Sequence, residues 1–208
     1  EPGPLNAMGL SRTIFREYDI RGVAGKDLTE EVAGKVAGAY AAFLSEKSVS
    51  GAVVVGRDNR PSGEKLHAAL VRGLLESGID VVDIGIVPTP LAYWSQHNLD
   101  VVGGVQITGS HNPPEYNGFK LGLHATSIYG ADIKRLYDLA AAGKFPKGKG
   151  TLRKENVVAP YVDDVVNRVG KLSRDVRVVL DCGNGAGSVV VPSLFPRLGV
   201  RPVYLYCE

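Results

Sequence analysis

The sequence is poor in cysteine and has no long apolar run. Its 208 residues include only Cys182 and Cys207, with no CxxC spacing, and each lies in or beside an apolar, strand-like stretch. This pattern argues against a disulfide framework and a zinc site, and predicts two buried, reduced thiols in a cytoplasmic protein. No apolar stretch approaches the roughly 20 residues that span a bilayer. No basic patch precedes an apolar stretch near the start, so we expect no signal peptide.

Charge of one sign is also lacking. The chain has 24 basic and 22 acidic residues, a formal net charge of +2. This balance gives no basic field for nucleic acid and no polybasic patch for a membrane, so neither is an expected partner. A hydrophobic content of 44% is enough for a globular core. Met8 is the only methionine, and we interpret residues 1–8 as a remnant of expression.

Apolar patterning predicts strands that alternate with helices. This order indicates an α/β fold: a three-layer α/β/α domain with a mixed, mostly parallel sheet, followed by the start of a second similar domain. Thr29 is the expected N-cap of the first helix. The predicted helices cover residues 28–46, 66–77, 89–97, 131–142, 161–169 and 189–198, and the predicted strands cover 52–55, 80–84, 101–108, 119–123 and 201–207.

The loops divide the chain. The glycine-rich, basic stretch 143–156 predicts a mobile linker, so residues 9–150 form the expected first domain and 151–208 the incomplete first part of the second. The stretch 56–65 is predicted to be a loop. Gly103 and Gly104 within a strand predict close backbone approach. A strand–loop–helix–strand pattern recurs in each expected domain.

The segment TGSHNPPEYNGFK, residues 108–120, holds the chemistry. Residues before proline avoid the helical region, so Asn112 and the two prolines after it stiffen the loop, and an Asn-Gly turn at 117–118 is expected to close it. Ser110 lies at the tip. A hydrolase triad is a weak interpretation, because the elbow glycines are absent and His111, as a neighbour on an extended chain, would point to the opposite side.

Phosphorylation fits Ser110 better than hydrolysis. A phosphoserine carries about two negative charges, which Lys120 or an arginine could neutralise. From these residues alone, the loop is either an anion site or a structural turn.

Four motifs together resemble one family. Residues 108–120 resemble the phosphoserine loop of the α-D-phosphohexomutases. FREYDIRG at 15–22 resembles a signature of the bacterial phosphomannomutase/phosphoglucomutase group, and GRDNRPSG at 56–63 and LDCGNGAG at 180–187 match further family motifs in order. The resemblance covers residues 12–208. Gly109 stands where the family often has alanine, a small-for-small change that does not put the resemblance in doubt.

The resemblance implies an enzyme that interconverts hexose 1-phosphate and hexose 6-phosphate, of glucose and/or mannose. Ser110 would carry the phosphoryl group, with glucose 1,6-bisphosphate as activator or intermediate. Mg²⁺ would bind the phosphate on Ser110. Arg21, Lys120 and His111 would be catalytic.

The resemblance also marks residues around these groups. Tyr18 and Asn112 would contact the substrate. Arg57, Asp58 and Arg60, in the second motif, predict a buried structural ion-pair network.

The family's aspartate-rich metal loop, its sugar-selecting loop and its C-terminal phosphate-binding domain do not occur in this sequence. We therefore expect the N-terminal part of a longer protein, which packs against its own missing C-terminal domains and is inactive alone. Two alternatives remain. One is a non-catalytic phosphosugar-binding module. The other is a dinucleotide-binding domain, for which VVLDCGNGAGS and Glu208 are suggestive, although Ser188 occupies the third glycine position of the G-x-G-x-x-G fingerprint.

Overall fold

The computed structural model describes residues 9–208, so the predicted expression remnant at 1–8 lies outside the described residues. Strands and helices alternate, as predicted. The strands are β1 Ile20–Val23, β2 Val53–Arg57, β3 Val81–Ile86, β4 Gly103–Ile107, β5 Tyr116–Leu123, β6 Thr126–Ser127, β7 Leu152–Lys154, β8 Val179–Asp181 and β9 Val203–Leu205. The α-helices are α1 Glu30–Glu46, α2 Pro61–Glu76, α3 Thr89–Asn98, α4 Ala131–Ala142, α5 Val158–Val169 and α6 Val191–Arg197.

The larger sheet has the order β1-β5-β4-β2-β3-β7, with β6 paired to β5. Four neighbouring strands run parallel: β4, β2, β3 and β7. Strand β5 is antiparallel to β4, and β1 and β6 are each antiparallel to β5. The sheet is therefore mixed, as predicted. Its parallel strands β2 and β4 end side by side, at Arg57 and Ile107.

Side chains alternate between the two faces of the sheet and so divide the core in two. Val53 and Val55 of β2 face a cluster that includes residues of α1, α2 and α4. Val54, between them, faces a second cluster with residues of α3 and α5. This alternation produces the three layers expected from the sequence.

The two strand glycines permit close approach, as predicted. A Cβ at Gly103 would lie 2.3 Å from the Tyr40 hydroxyl oxygen, and one at Gly104 would lie 2.7 Å from Val54 Cγ1. The buried Tyr40 hydroxyl donates to the carbonyl of Gly122 at 2.5 Å. Thr29 caps α1 as expected, since its hydroxyl accepts from the Val32 amide.

Two predicted loops are shorter or differently placed. Strand β2 runs through Arg57 and helix α2 begins at Pro61, so the loop predicted over 56–65 is confined to residues 58–60. Proline fits the first helical turn because its missing amide would have no partner there. The Asn117–Gly118 turn is wrong, because both residues lie inside β5 and pair with β1. The chain reverses earlier, where the amides of Asn112 and Tyr116 donate to the carbonyls of Gly109 and Pro113.

The predicted mobile linker is instead packed against the sheet. The amides of Gly148 and Gly150 donate to main-chain carbonyls at the end of α2, and β7 adds a parallel strand to β3. A Cβ at Gly150 would lie 2.1 Å from the Ile79 carbonyl oxygen. Glycine is therefore needed here for close packing against the chain rather than for mobility.

The last 50 residues contain helix α5, which packs on the first sheet's helical layer, and a separate small sheet. Helix α5 packs on α3, where the Trp94 indole donates to Asp164 at 2.8 Å and stacks edge-on against Tyr161. Strands β8 and β9 form a separate parallel pair that repeats the β2–α2–β3 pattern. Cys182 and Cys207 are free, as predicted, but only half-buried, because this small sheet is covered little by the described residues. None of the helices in the described part of the chain is long and apolar enough to cross a membrane.

Candidate active site

Ser110 lies between β4 and β5 in an unusual backbone conformation. Its φ is +54°, in the left-handed region that side chains other than asparagine and aspartate rarely adopt. The Ser110 amide donates to the Thr108 hydroxyl at 2.9 Å, which holds the preceding turn. The Ser110 residue itself is exposed. The loop thus presents its hydroxyl to solvent from a strained position, and such strain persists only where surrounding contacts hold it.

The left-handed turn brings Ser110 and His111 together. Ser110 Oγ and His111 Nδ1 are 3.2 Å apart, within hydrogen-bonding distance. The expectation that these neighbours point to opposite sides is therefore wrong, because it assumed an extended backbone at Ser110. No carboxylate in residues 9–208 hydrogen-bonds to the other ring nitrogen of His111, so a serine–histidine–acid triad is not assembled there.

Asp58, just after β2, supports the start of this loop. Its Oδ2 accepts from the Thr108 hydroxyl at 2.7 Å and from the Gly109 amide at 3.3 Å. The same oxygen lies 3.3 Å from Arg60 Nε, so the predicted ion pair exists between these two residues. Arg57 is not an ion-pair partner of Asp58; its guanidinium donates to the Asp58 main-chain carbonyl.

Arg60 supports the rest of the loop through main-chain contacts. One guanidinium nitrogen donates to the carbonyls of Pro113 and Tyr116 at 2.6 and 3.0 Å. The other donates to the carbonyls of Ser110 and Asn112 at 3.1 and 2.7 Å. The sequence signalled Arg60 only as part of an ion pair. Its contact with the serine loop, residues 108–120, was missed because Arg60 and Ser110 are 50 residues apart in the chain.

Arg21 and Lys120 are joined by a residue that the sequence analysis missed. Asp19 Oδ2 accepts from Arg21 at 2.5 Å and from Lys120 at 3.0 Å, and the Asp19 side chain is only 8% exposed. Asp19 lies in the FREYDIRG motif, two residues before Arg21. The pairing of β1 with β5 could have revealed it, because Ile20 opposes Phe119 and therefore brings Asp19 beside Lys120.

The sheet also relates Arg21 to the serine loop. Arg21 pairs with Gly118, whose carbonyl accepts from the Thr108 amide. Arg21 therefore lies in the same row across the sheet as Thr108, which is two residues before Ser110. Tyr18 stands apart, with 70% of its surface exposed.

A cavity of about 430 Å³ opens beside Ser110. Asn112 also lines it, and Asn184 and Gly185 line the opposite side from the loop after β8. The Asn59 amide bridges the two sides by donating to the Asn184 carbonyl at 2.6 Å. Ligands of open α/β sheets bind at the carboxyl ends of parallel strands, where this cavity lies. Arg21, Lys120, His111 and Tyr18 do not line it.

The described residues do not form a metal site by themselves. Within residues 9–208, no group of three or more histidine, cysteine, aspartate or glutamate side chains is placed to hold a metal ion. Mg²⁺ usually keeps few protein ligands and adds phosphate oxygens. A phosphate on Ser110 could supply one ligand, and the carboxylates would have to come from elsewhere.

Comparison with known proteins gives one consistent result. Residues 12–147 match the model for phosphoglucomutase/phosphomannomutase, alpha/beta/alpha domain I. A phosphomannomutase/phosphoglucomutase of Pseudomonas putida is 40% identical over 96% of this chain and 42% of its own length. A phosphoglucomutase of Neisseria gonorrhoeae is 38% identical over 96% of this chain and 43% of its own.

A solved structure agrees. The crystal structure of a phosphoglucomutase/phosphomannomutase family protein from Burkholderia thailandensis superposes with a TM-score of 0.91 at 39% identity, over 96% of this chain and 45% of that one. The chain thus spans less than half the length of the relatives that it matches. The dinucleotide-binding alternative finds no support in these matches. From the domain match and the sequence identities, the chain belongs to the phosphoglucomutase/phosphomannomutase family.

Proposed function

We propose that this chain is the N-terminal part of a phosphohexomutase that interconverts hexose 1-phosphate and hexose 6-phosphate, of glucose and/or mannose. The observation that carries the proposal is Ser110, held in a left-handed conformation at the edge of a polar cavity. Its relatives in Pseudomonas putida and Neisseria gonorrhoeae are a phosphomannomutase/phosphoglucomutase and a phosphoglucomutase. A rigidly placed hydroxyl suits phosphoryl transfer, which depends mainly on positioning and on charge stabilisation.

The proposed reaction has two transfers. Phosphorylated Ser110 gives its phosphoryl group to the free hydroxyl of a hexose monophosphate: the Oγ–P bond breaks, a sugar O–P bond forms, and the hydroxyl proton passes through a protein base to Ser110 Oγ. The hexose 1,6-bisphosphate then turns around. Ser110 Oγ attacks the other phosphate, the second sugar O–P bond breaks, and the proton returns to the released sugar oxygen. Atoms and charge balance over the cycle, with no net phosphate consumed.

Protein charges have distinct proposed roles in this cycle. His111 Nδ1 lies 3.2 Å from Ser110 Oγ and can exchange a proton with that oxygen when it is unphosphorylated. Arg21 and Lys120 would stabilise the transferring phosphoryl group and handle the sugar proton. Asp19 fixes both cations through one buried oxygen. Asn112 lines the cavity and would contact the substrate there. Tyr18, which is 70% exposed and lies outside the cavity lining, would contact a part of the substrate that extends beyond it.

The proposal also covers the domain organisation, the metal ion, the activator and the location of the protein. Residues 9–150 would be the first domain and 151–208 the first part of a second, which packs against further C-terminal domains. Mg²⁺, bound through the phosphate on Ser110 and ligands outside this chain, would supply charge neutralisation. Glucose 1,6-bisphosphate would phosphorylate the enzyme at the start. We propose a cytoplasmic location because the sequence has only two cysteines.

Labelling of Ser110 tests the proposal. The complete protein that carries this chain is incubated with phosphorus-32-labelled glucose 1,6-bisphosphate, and labelled peptides are identified by mass spectrometry. We expect label on Ser110, none on Ser110→Ala, and a loss of turnover in that variant of more than about 1,000-fold. Ser127→Ala, on the exposed strand β6, is the matched control.

Other outcomes of this labelling are also informative. The 208-residue chain alone should show negligible turnover. Wild-type turnover by the Ser110→Ala variant would refute the proposed function. Binding of glucose 1-phosphate without any label on Ser110 would also refute it, in favour of a non-catalytic phosphosugar-binding module.

A further inference from the structure

One guanidinium, that of Arg60, is in contact with most of the serine loop. We propose that Arg60 is a positioning residue, which sets the conformation of residues 109–116 and thereby the place of Ser110 Oγ. The inference rests on the proposed function of Ser110. It adds a residue that lines the cavity but whose terminal guanidinium nitrogens bind the main chain of the loop.

The hydrogen bonds of Arg60 explain how one side chain can hold the loop. Its two terminal nitrogens donate to the carbonyls of Ser110, Asn112, Pro113 and Tyr116 at 2.6–3.1 Å. These carbonyls lie on both sides of the first proline and converge on one side of the loop. Convergent carbonyl dipoles repel one another, and a central cation removes that repulsion. Hydrogen bonds to a charged group are stronger than those between neutral groups.

Arg60 is itself fixed to the rigid part of the domain. Its main-chain amide donates to Asp58 Oδ1 at 3.0 Å, and its Nε lies 3.3 Å from Asp58 Oδ2. The residue immediately precedes α2, so its Cα is anchored at the junction between β2 and a long helix. The Arg60 side chain is 15% exposed. The loop is thus held in register with the sheet rather than only by its own prolines.

Gly109 provides the space that this arrangement needs. A Cβ at Gly109 would lie 2.4 Å from Arg60 Cζ and 2.6 Å from Arg60 Nε. Arg60 could not keep its present position beside a side chain at Gly109.

Lysine cannot replace Arg60 in this role. A guanidinium is a planar fork that reaches several acceptors at fixed angles, whereas an ammonium is a point charge with three donors. An Arg60→Lys variant would keep the charge and lose most of the four carbonyl contacts. Comparing it with Arg60→Met separates the charge from the geometry.

The first experiment measures catalysis in the complete protein. In Arg60→Lys and Arg60→Met we expect the rate of Ser110 labelling and kcat to fall about 10- to 100-fold, because a 1 Å misplacement can cost that much. KM for the hexose phosphate should change less than about threefold, because Arg60 lines the cavity but both of its terminal nitrogens are already engaged by loop carbonyls. Methylguanidinium should restore part of the rate in Arg60→Ala. Arg72→Met, an exposed arginine on α2, is the matched control.

The second experiment does not depend on catalysis. In the 208-residue chain, amide hydrogen exchange of a peptide covering 108–118 should accelerate about tenfold in Arg60→Met, while peptides from α1 and β3 keep their rates. Equal exchange in Arg60→Met and Arg72→Met, or acceleration spread evenly over the whole domain, would overturn the inference. Loss of kcat without methylguanidinium rescue would do the same.

The two experiments separate failure of this inference from failure of the proposed function. If wild-type Ser110 takes no label, the proposed function is wrong, and the exchange measurement alone decides whether Arg60 holds the loop. If Ser110 is labelled and Arg60→Lys is labelled as fast as Arg72→Met, the proposed function stands and the inference about Arg60 is refuted.

Discussion

Replacement of Asp19 by asparagine tests how much one buried carboxylate contributes. The asparagine side chain would have nearly the same shape but no charge, so Arg21 and Lys120 would face each other without a shared counter-ion. In the native protein, Asp19 Oδ2 lies 2.5 Å from the Arg21 nitrogen and 3.0 Å from Lys120 Nζ. The change therefore removes two charge-assisted contacts at once and leaves two like charges in proximity.

The structure sets the size of the effect. Removing one partner from a fully buried ion pair costs about 3–5 kcal/mol. Here the Asp19 side chain is 8% exposed, but Arg21 and Lys120 are 15% and 21% exposed and keep some hydration. The asparagine oxygen also still accepts one hydrogen bond. We therefore expect Asp19→Asn to lower the free energy of unfolding by about 2–3 kcal/mol, which corresponds to about 4–12 °C in Tm for a chain of this size.

Thermal and urea unfolding of the 208-residue chain measure this loss. The control is Asp163→Asn, because Asp163 pairs with Arg197 and both side chains are about half exposed. Exposed pairs contribute less than about 1 kcal/mol. High salt should weaken the effect of Asp163→Asn more than that of Asp19→Asn, since buried pairs are screened less. If the two variants unfold at the same temperature, the bridging role of Asp19 is refuted.

Two other predictions concern stability. Gly109→Ala should cost about 1–3 kcal/mol through overpacking against Arg60 and against the Tyr116 carbonyl oxygen, which would lie 2.7 Å from the new Cβ. Gly34→Ala, with nothing within 4 Å of its Cβ, should be neutral or stabilising. The cost of Gly109→Ala should fall but not vanish in an Arg60→Ala background, and an undiminished cost there would contradict the packing against Arg60. Burial raises the pKa of Asp83, but hydrogen bonds from His67 and a backbone amide outweigh this and lower it. The stability that ionised Asp83 contributes to the fold is thus fully present above the unfolded-state pKa near 3.8. This contribution is lost as pH falls through the lowered folded-state pKa. When the free energy of unfolding is measured as the pH is lowered, it should fall less steeply in His67→Gln than in the unsubstituted chain. An unchanged slope would exclude the Asp83–His67 pair as a contributor.

The elements predicted well are those with strong local signals. Helix α1 combines a threonine cap, acidic residues in its first turn and a regular apolar stripe, and its observed start lies within two residues of the prediction. The three layers follow from alternating strands and helices, which leave few other ways to bury both faces of the sheet. Ser110 was found because two prolines restrict its loop locally.

The features that were missed depend on contacts between distant residues. Asn117 and Gly118 have the composition of a hairpin turn, but the buried Asn117 side chain donates to Ser62 at 2.9 Å, and both residues continue strand β5. The left-handed backbone of Ser110 is stabilised by Asp58 and Arg60, which no pattern within the loop reveals. The pairing of Asp19 with Lys120 likewise requires the register of the two strands.

The second apolar cluster has a practical consequence for dividing this polypeptide. Val157 and Val162, which follow the region matched by the family's first domain, cover Val54, Val82 and Leu91 on one side of the sheet. A fragment that ends at residue 147 would expose those aliphatic side chains to solvent and would be prone to self-association. Val190 also belongs to this cluster and Leu194 packs against it, so the shortest version worth preparing for biophysical work runs through the end of α6 at Arg197.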